Sequence, residues 1–248
     1  MEFTKKDGIK LSVAISILFI IILVVIFIII QYQFEGEKNM PYTISKITII
    51  STAEGETIEN TDRWNLRINQ NNDVYFFIDK NILNNDEVIE KVRFENIKVI
   101  SNPTKGEIKT YMPSSIGNRK FINSEEYIVN EKLEYKAGIK SDSKILEIGN
   151  QGGVVLIRFS NMNIGNLVSN EDKEIKHDGT LLNKIGINEN DFKFKVNFDF
   201  IIEVKGIKYK SNITLDFPNE NIIEKGTTHR EINITKEDNK NIIFKRVK

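Results

Sequence analysis

Residues 11–30 read LSVAISILFIIILVVIFIII, without one charged side chain, and no other segment limits so strongly what this chain can fold into. A helix of that length, at ~1.5 Å per residue, reaches about 30 Å, the hydrocarbon thickness of a bilayer. Apolar on every side, it calls for lipid around it. The stretch is therefore expected to be a transmembrane helix embedded in the lipid bilayer, beginning at Leu11, centred near Ile20 and ending at Ile30. Lys5, Lys6 and Lys10 precede it, whereas Glu35 and Glu37 outnumber Lys38 after it. Positive charge on the leading flank places the N-terminus in the cytoplasm, and Tyr32 and Phe34 fall where an outer aromatic belt would lie. A cleaved signal peptide has a shorter apolar region followed by small residues. The bulky exit Ile30-Gln31-Tyr32 instead marks a signal-anchor that stays. The run also lacks the early glutamate of a type IV pilin helix. Ser12 and Ser16, four residues apart, either let a second helix approach or bond their own backbone.

This divides the chain into a cytoplasmic tail (1–10), the anchor (11–30), a short juxtamembrane linker (31–40) and an extracytoplasmic region (41–248). Roughly 200 residues remain beyond the linker, enough for one large domain or two small ones. Their period is two. Phe192, Phe194, Val196, Phe198, Phe200, Ile202 and Val204 alternate with mostly polar neighbours, and Ile207, Tyr209, Ser211, Ile213, Leu215 and Phe217 follow after only Lys205-Gly206. That spacing predicts a hairpin with a two-residue loop. Val204 then faces Ile207, and Glu203 opposite Lys208 and Lys195 opposite Asp216 become opposite-charge cross-strand pairs.

Further strands are expected over 44–51, 64–68, 74–78, 92–100, 107–111, 127–135, 154–159 and 242–246, with a polar turn at Gln70-Asn71-Asn72-Asp73. Single helical turns are expected over 180–185 and 86–91. Short strands separated by Asn, Gly and Asp clusters predict a mainly β fold, an antiparallel β-sandwich that is either one elongated sandwich or two stacked ones, with a seam within 101–126.

Composition narrows the chemistry. Lys+Arg and Asp+Glu both number 35, so no net field is available to hold a nucleic acid. The absence of cysteine removes disulfides, thiolate metal sites and a thiol nucleophile. The richness in Ile, Lys and Asn looks like the bias of an AT-rich bacterial genome, in which the sequons at Asn212 and Asn233 are not glycosylated. Gly149-Asn150-Gln151-Gly152-Gly153 precedes a strand rather than a helix, so it reads as a strand-entry turn and not a phosphate loop. His177-Asp178 and His229 sit in polar connectors with no third ligand in view. Asn188-Glu189-Asn190-Asp191 and Asn219-Glu220-Asn221 carry oxygen ligands of the kind calcium uses, without the spacing of an EF-hand. No catalytic residue, cofactor or metal site is assigned.

Two segments, MPYTISKITIISTAEG (40–55) and ILEIGNQGGVVLIRFSN (145–161), joined to the anchor, resemble uncharacterised single-span membrane proteins of low-GC Gram-positive bacteria. The resemblance is one of layout and implies an extracytoplasmic β-domain at the cell membrane, with no functional residues to transfer. The expected function is non-enzymatic: a protein-interaction or structural module of the cell envelope contacting another envelope or membrane protein. The alternative is a cell-surface carbohydrate-binding module or a carboxylate-dependent hydrolase.

Overall fold

A computed structural model describes residues 5–37, 40–58, 64–81, 86–115, 119–138, 145–169, 180–234 and 242–247. Helix α1 (Lys5–Glu35) opens the chain. The strands are β1 (Tyr42–Thr57), β2 (Trp64–Lys80), β3 (Ile89–Ser101), β4 (Glu107–Tyr111), β5 (Lys132–Ala137), β6 (Leu146–Ile148), β7 (Gly153–Ser169), β8 (Phe194–Val204), β9 (Ile207–Phe217), β10 (Thr227–Asn233) and β11 (Lys245–Val247). Three one-turn helices join them: α2 (Leu181–Lys184), α3 (Glu189–Phe192) and α4 (Ile222–Lys225). The expected mainly β class holds.

The strands form two sheets, ordered β10-β1-β2-β7-β4 and β11-β9-β8-β3-β5-β6. All pairings are antiparallel except β5 with β6. Alternation along β2, β7 and β8 turns Phe76, Phe159, Phe198 and Phe200 to a shared interior, where each is fully buried. Phe76 of the five-stranded sheet lies 5.3 Å from Phe94 and 5.1 Å from Phe200 of the six-stranded one. Two side chains bridge the sheets at opposite flanks. The Tyr135 hydroxyl of β5 donates to the Leu156 carbonyl at 2.7 Å and accepts from its N–H at 3.0 Å on β7, and Arg230 of β10 donates to the Asp216 carbonyl of β9 at 2.8 Å.

The hairpin forms as its loop length dictates. Lys205 and Gly206 both take positive φ, Val204 pairs with Ile207, and the register runs through to Phe194 opposite Phe217. Lys195 and Asp216 make the expected ion pair at 2.8 Å. Glu203 lies opposite Lys208 but is bound at 3.0 Å by Arg93 of β3, a partner on the other neighbouring strand.

Several local expectations are corrected. Gln70-Asn71-Asn72-Asp73 is not a turn: β2 passes through it, and Gln70, Asn71 and Asn72 are fully buried. Residues 86–88 have no helical structure and lead directly into β3. Phe192 belongs to α3, not to the following strand, and β5 begins at Lys132 rather than 127. The turn expected near 180–185 is α2.

The long strands β1, β2 and β7 run through two apolar cores. The first, between the sheets, contains Ile47, Ile49, Val74, Phe76, Val155, Ile157 and their partners from β3, β8 and β9. The second lies farther along the same strands, where Leu66, Ile68 and Ile164 are covered by Leu181, Leu182, Phe192 and Ile222 from the one-turn helices. Between them the interior face turns polar. Ser51 donates to Asn72 Oδ1 at 2.7 Å, Asn72 donates to Gln70 Oε1 at 3.0 Å and to the Phe159 carbonyl at 2.9 Å, and Asn219 N–H donates to Ser51 Oγ at 3.0 Å. The Gln70 and Asn72 amides are bonded within this band, the condition for keeping them inside, whereas Asn71 Nδ2 and Asn219 Oδ1 are buried without a partner.

Candidate functional site

The residues singled out as the anchor all lie in α1. Side chains are described from Ser12 to Ile28, a stretch of about 25 Å, and every one of them is exposed. Ile20 is 59% exposed and Phe27 65%. The side chains of Leu11, Ile30, Lys5, Lys6 and Lys10, and of Tyr32 and Phe34, lie outside the described residues. Among the described residues no helix is long and apolar enough to cross a membrane, so the transmembrane helix expected over 11–30 is not established. What α1 does present, apart from Ser12 and Ser16, is an apolar surface all round, far beyond the scattered apolar residues a soluble surface tolerates. Ser16 donates its hydroxyl to the Ser12 carbonyl at 3.0 Å, so of the two roles open to this serine pair, backbone bonding is the one observed.

Residues after α1 do not form a free linker. Gly36 takes φ +76° and is buried against the C-terminal segment, where an added Cβ would overlap the Ile243 side chain and come within 2.9 Å of the Phe244 carbonyl. Glu37 N–H donates to that same carbonyl at 2.7 Å. The Glu37 carboxylate, only 4% exposed, pairs at 3.2 Å with Arg246. Arg246 in turn lies over the ring of Tyr209, and β11 pairs with β9 from Lys208 to Lys210. Burial raises the Tyr209 hydroxyl pKa, with Arg246 opposing the rise and Glu87 and Glu37 adding to it. Phe244 reaches Phe200 at 6.3 Å between ring centres. The end of α1, the C-terminal strand and the main core are thus joined by contiguous contacts.

The outer faces of the two sheets differ. On the six-stranded sheet the outward-facing positions carry matched charges: Lys195 with Asp216, Lys210 with Asp199, and Arg93 with Glu95 and Glu203. Burial opposes ionisation of Asp199, yet hydrogen bonds from Asn212, Asn96 and Lys210 outweigh it and lower its pKa. The five-stranded sheet instead sets Thr48, Tyr75 and Leu156 side by side, and next to them Lys46, Phe77 and Val154. Tyr75, Phe77 and Val154 are half-buried, and the Lys46 ammonium sits 4.5 Å over the Phe77 ring. Burial raises the Tyr75 pKa, and the neighbouring Asp73 adds to the rise. Beside this grid Arg158 binds Asp73 through Nε and, at 3.0 Å, through Nη2, and donates to Asn123 at 3.0 Å under the Phe121 ring. Both charges are occupied by each other, so the pair fastens residues 121–123 to the sheet and leaves no free group for acid–base work.

Other candidates from the sequence have structural places. Residues 149–152 form a turn closed by Gly152 N–H on the Gly149 carbonyl, leading into β7. His229 lies on β10, not in a connector, and faces Glu231 at 3.6 Å. His177-Asp178 falls outside the described residues. Asn188 to Asp191 form the capping box of α3; the Asn188 N–H, then Lys105 and Thr104, lower the Asp191 pKa. Asn219 is buried, donating to the carbonyls of Ile49 and Thr228. Among the described residues no three His, Cys, Asp or Glu are grouped to hold a metal. The apolar helix was legible in the sequence. Its junction was missed, because Gly36-Glu37 and 243–246 lie some 200 residues apart and neither is distinctive alone.

Compared with protein-family models, with curated proteins and with solved structures, the chain matches none.

Proposed function

We propose that this chain is a single-pass membrane protein of the cell envelope, with residues 11–30 in the bilayer, the N-terminus in the cytoplasm and the β-domain, read as a β-sandwich, held outside. The observation that carries this reading is α1, whose described side chains, apart from Ser12 and Ser16, are apolar and exposed all round; in water such a surface is costly, and in hydrocarbon it is not. The β-domain acts as an interaction or structural module rather than an enzyme. Its contacting face is the outer side of the five-stranded sheet, where Tyr75, Phe77 and Val154 form an apolar grid while the other sheet is covered by paired charges.

Protease treatment of intact cells stripped of their wall tests the topology: cleavage of the C-terminal domain is expected, and its full protection overturns the orientation. Mild-detergent copurification tests the interaction reading. A reproducible envelope or membrane protein is expected, lost in Tyr75→Lys. Tyr75 beside Asp73 also favours a second reading, a carbohydrate-binding surface; retention of the full-length protein on an insoluble wall polysaccharide, abolished by Tyr75→Ala, would select it.

A further inference from the structure

We propose that the C-terminal segment 242–247 is a clasp that locks the end of α1 onto the β-domain, making helix and domain one mechanical unit rather than a body on a tether. Three kinds of contact converge on two residues. Gly36 fits against Ile243 and Phe244 only because it has no Cβ. Glu37 uses its backbone N–H on Phe244 and its buried carboxylate on Arg246. The segment that receives them is itself fixed twice, by β11 on β9 and by Phe244 on Phe200. A flexible linker needs none of these. A backbone hydrogen bond, a steric fit available only to glycine and an almost fully covered carboxylate together define one angle between helix and domain.

The clasp is also the joint most easily opened. β11 covers only Lys208–Lys210 of its neighbour, and Arg246 is 56% exposed, so a partner or a protease acting on the C-terminal strand would free the helix while taking from the aromatic core only the contact of Phe244 on Phe200. A contact made on the β-domain could thereby be read out as a change in the helix's angle.

The chain has no cysteine, so Ile28→Cys in α1 and Lys98→Cys on β3, both exposed, give a unique pair of spin-label sites in the full-length protein. Electron–electron distance measurements in detergent micelles and in lipid nanodiscs should give one narrow distribution. Arg246→Ala and Gly36→Val should each widen it at least twofold while the near-ultraviolet circular dichroism melt of the β-domain stays in place. A parent distribution already as wide as the variants' overturns the proposal, as does a narrow one that neither variant changes. Should Gly36→Val fail to fold, Arg246→Ala decides alone. The clasp does not rest on the membrane reading: failure to enter nanodiscs would count against the anchor, while the micelle measurement still decides the clasp.

Discussion

Strands β1, β2 and β7 each serve two cores, and the two are built differently. Between the sheets, Phe76, Phe94, Phe159, Phe198 and Phe200 pack ring against ring with both sides supplied by long strands. Farther along, the same strands are covered by Leu181, Leu182, Phe192 and Ile222 from helices of one turn each. The large core rests on continuous ladders, whereas the small one rests on pieces too short to be helical on their own. The polar band through Ser51, Gln70 and Asn72 separates them. One sheet is thus expected to carry a region that unfolds only with the whole and a region that opens locally.

Substitutions can break this contrast. The largest effect is expected for Phe200→Ala, which removes contacts to Phe76, Phe94 and Phe244 and should cost about 3–5 kcal/mol in urea unfolding. Leu182→Ala should cost about 2–4 kcal/mol. Its distinguishing signature is faster amide exchange confined to residues 53–57 and 64–68; equal acceleration in β8 would show that the two cores open together. Asn72→Ala strips partners from Ser51 and Gln70 inside the band, and a loss of about 1–3 kcal/mol is expected from the lowered urea midpoint.

Tyr135→Phe removes the bridge to both backbone groups of Leu156 and should cost about 1 kcal/mol near neutrality. It also carries a pH signature. Burial raises the Tyr135 pKa in the folded protein, so below about pH 10 the phenol is protonated in both states and contributes no pH dependence. Above that pH the unfolded chain loses the proton first, and stability falls as pH rises. Urea midpoints from pH 9 to 11 should fall less steeply for Tyr135→Phe than for the parent. The smallest effect belongs to the outer face: Lys195 and Asp216 are both more than half exposed, so Lys195→Ala should change stability by less than about 0.5 kcal/mol.

The hairpin around Lys205-Gly206 was legible because everything that fixes it is local: the loop length, the two alternating strands and the matched charges lie within 24 residues of sequence. Gln70-Asn71-Asn72-Asp73 was misread for the opposite reason. Four consecutive polar residues have the composition of a loop, and what makes them a buried strand is remote: Ser51 on β1, Phe159 and Ser160 on β7, and Asn123 on the segment packed over the sheet. Glu203 shows the same limit, with its partner Arg93 on β3, 110 positions away. The polar edge strand β10 carries little periodic signal, and β6 and the observed β11 are only three residues each. Of the candidate site, the apolar helix was plain; the outer grid of Tyr75, Phe77 and Val154 needed the register of three strands before it could be seen.

Sheet order also sets the sequence of events by which the chain reaches this shape. β1 is flanked by β2 and by β10, with Thr48 opposite Glu231, and β3 by β5 and β8, with Val92 opposite Ile202. The five-stranded sheet is incomplete until Thr227–Asn233 has been synthesised, and the six-stranded one until Lys245–Val247 has. Pairings this distant in sequence form slowly, after the entropy of a long loop has been given up. Until β10 arrives, β1 has an unsatisfied edge open to any other extended chain. Folding of the β-domain therefore waits for the emergence of β10 and β11, and the interval before it is when a chaperone holding the edge of β1 would matter most.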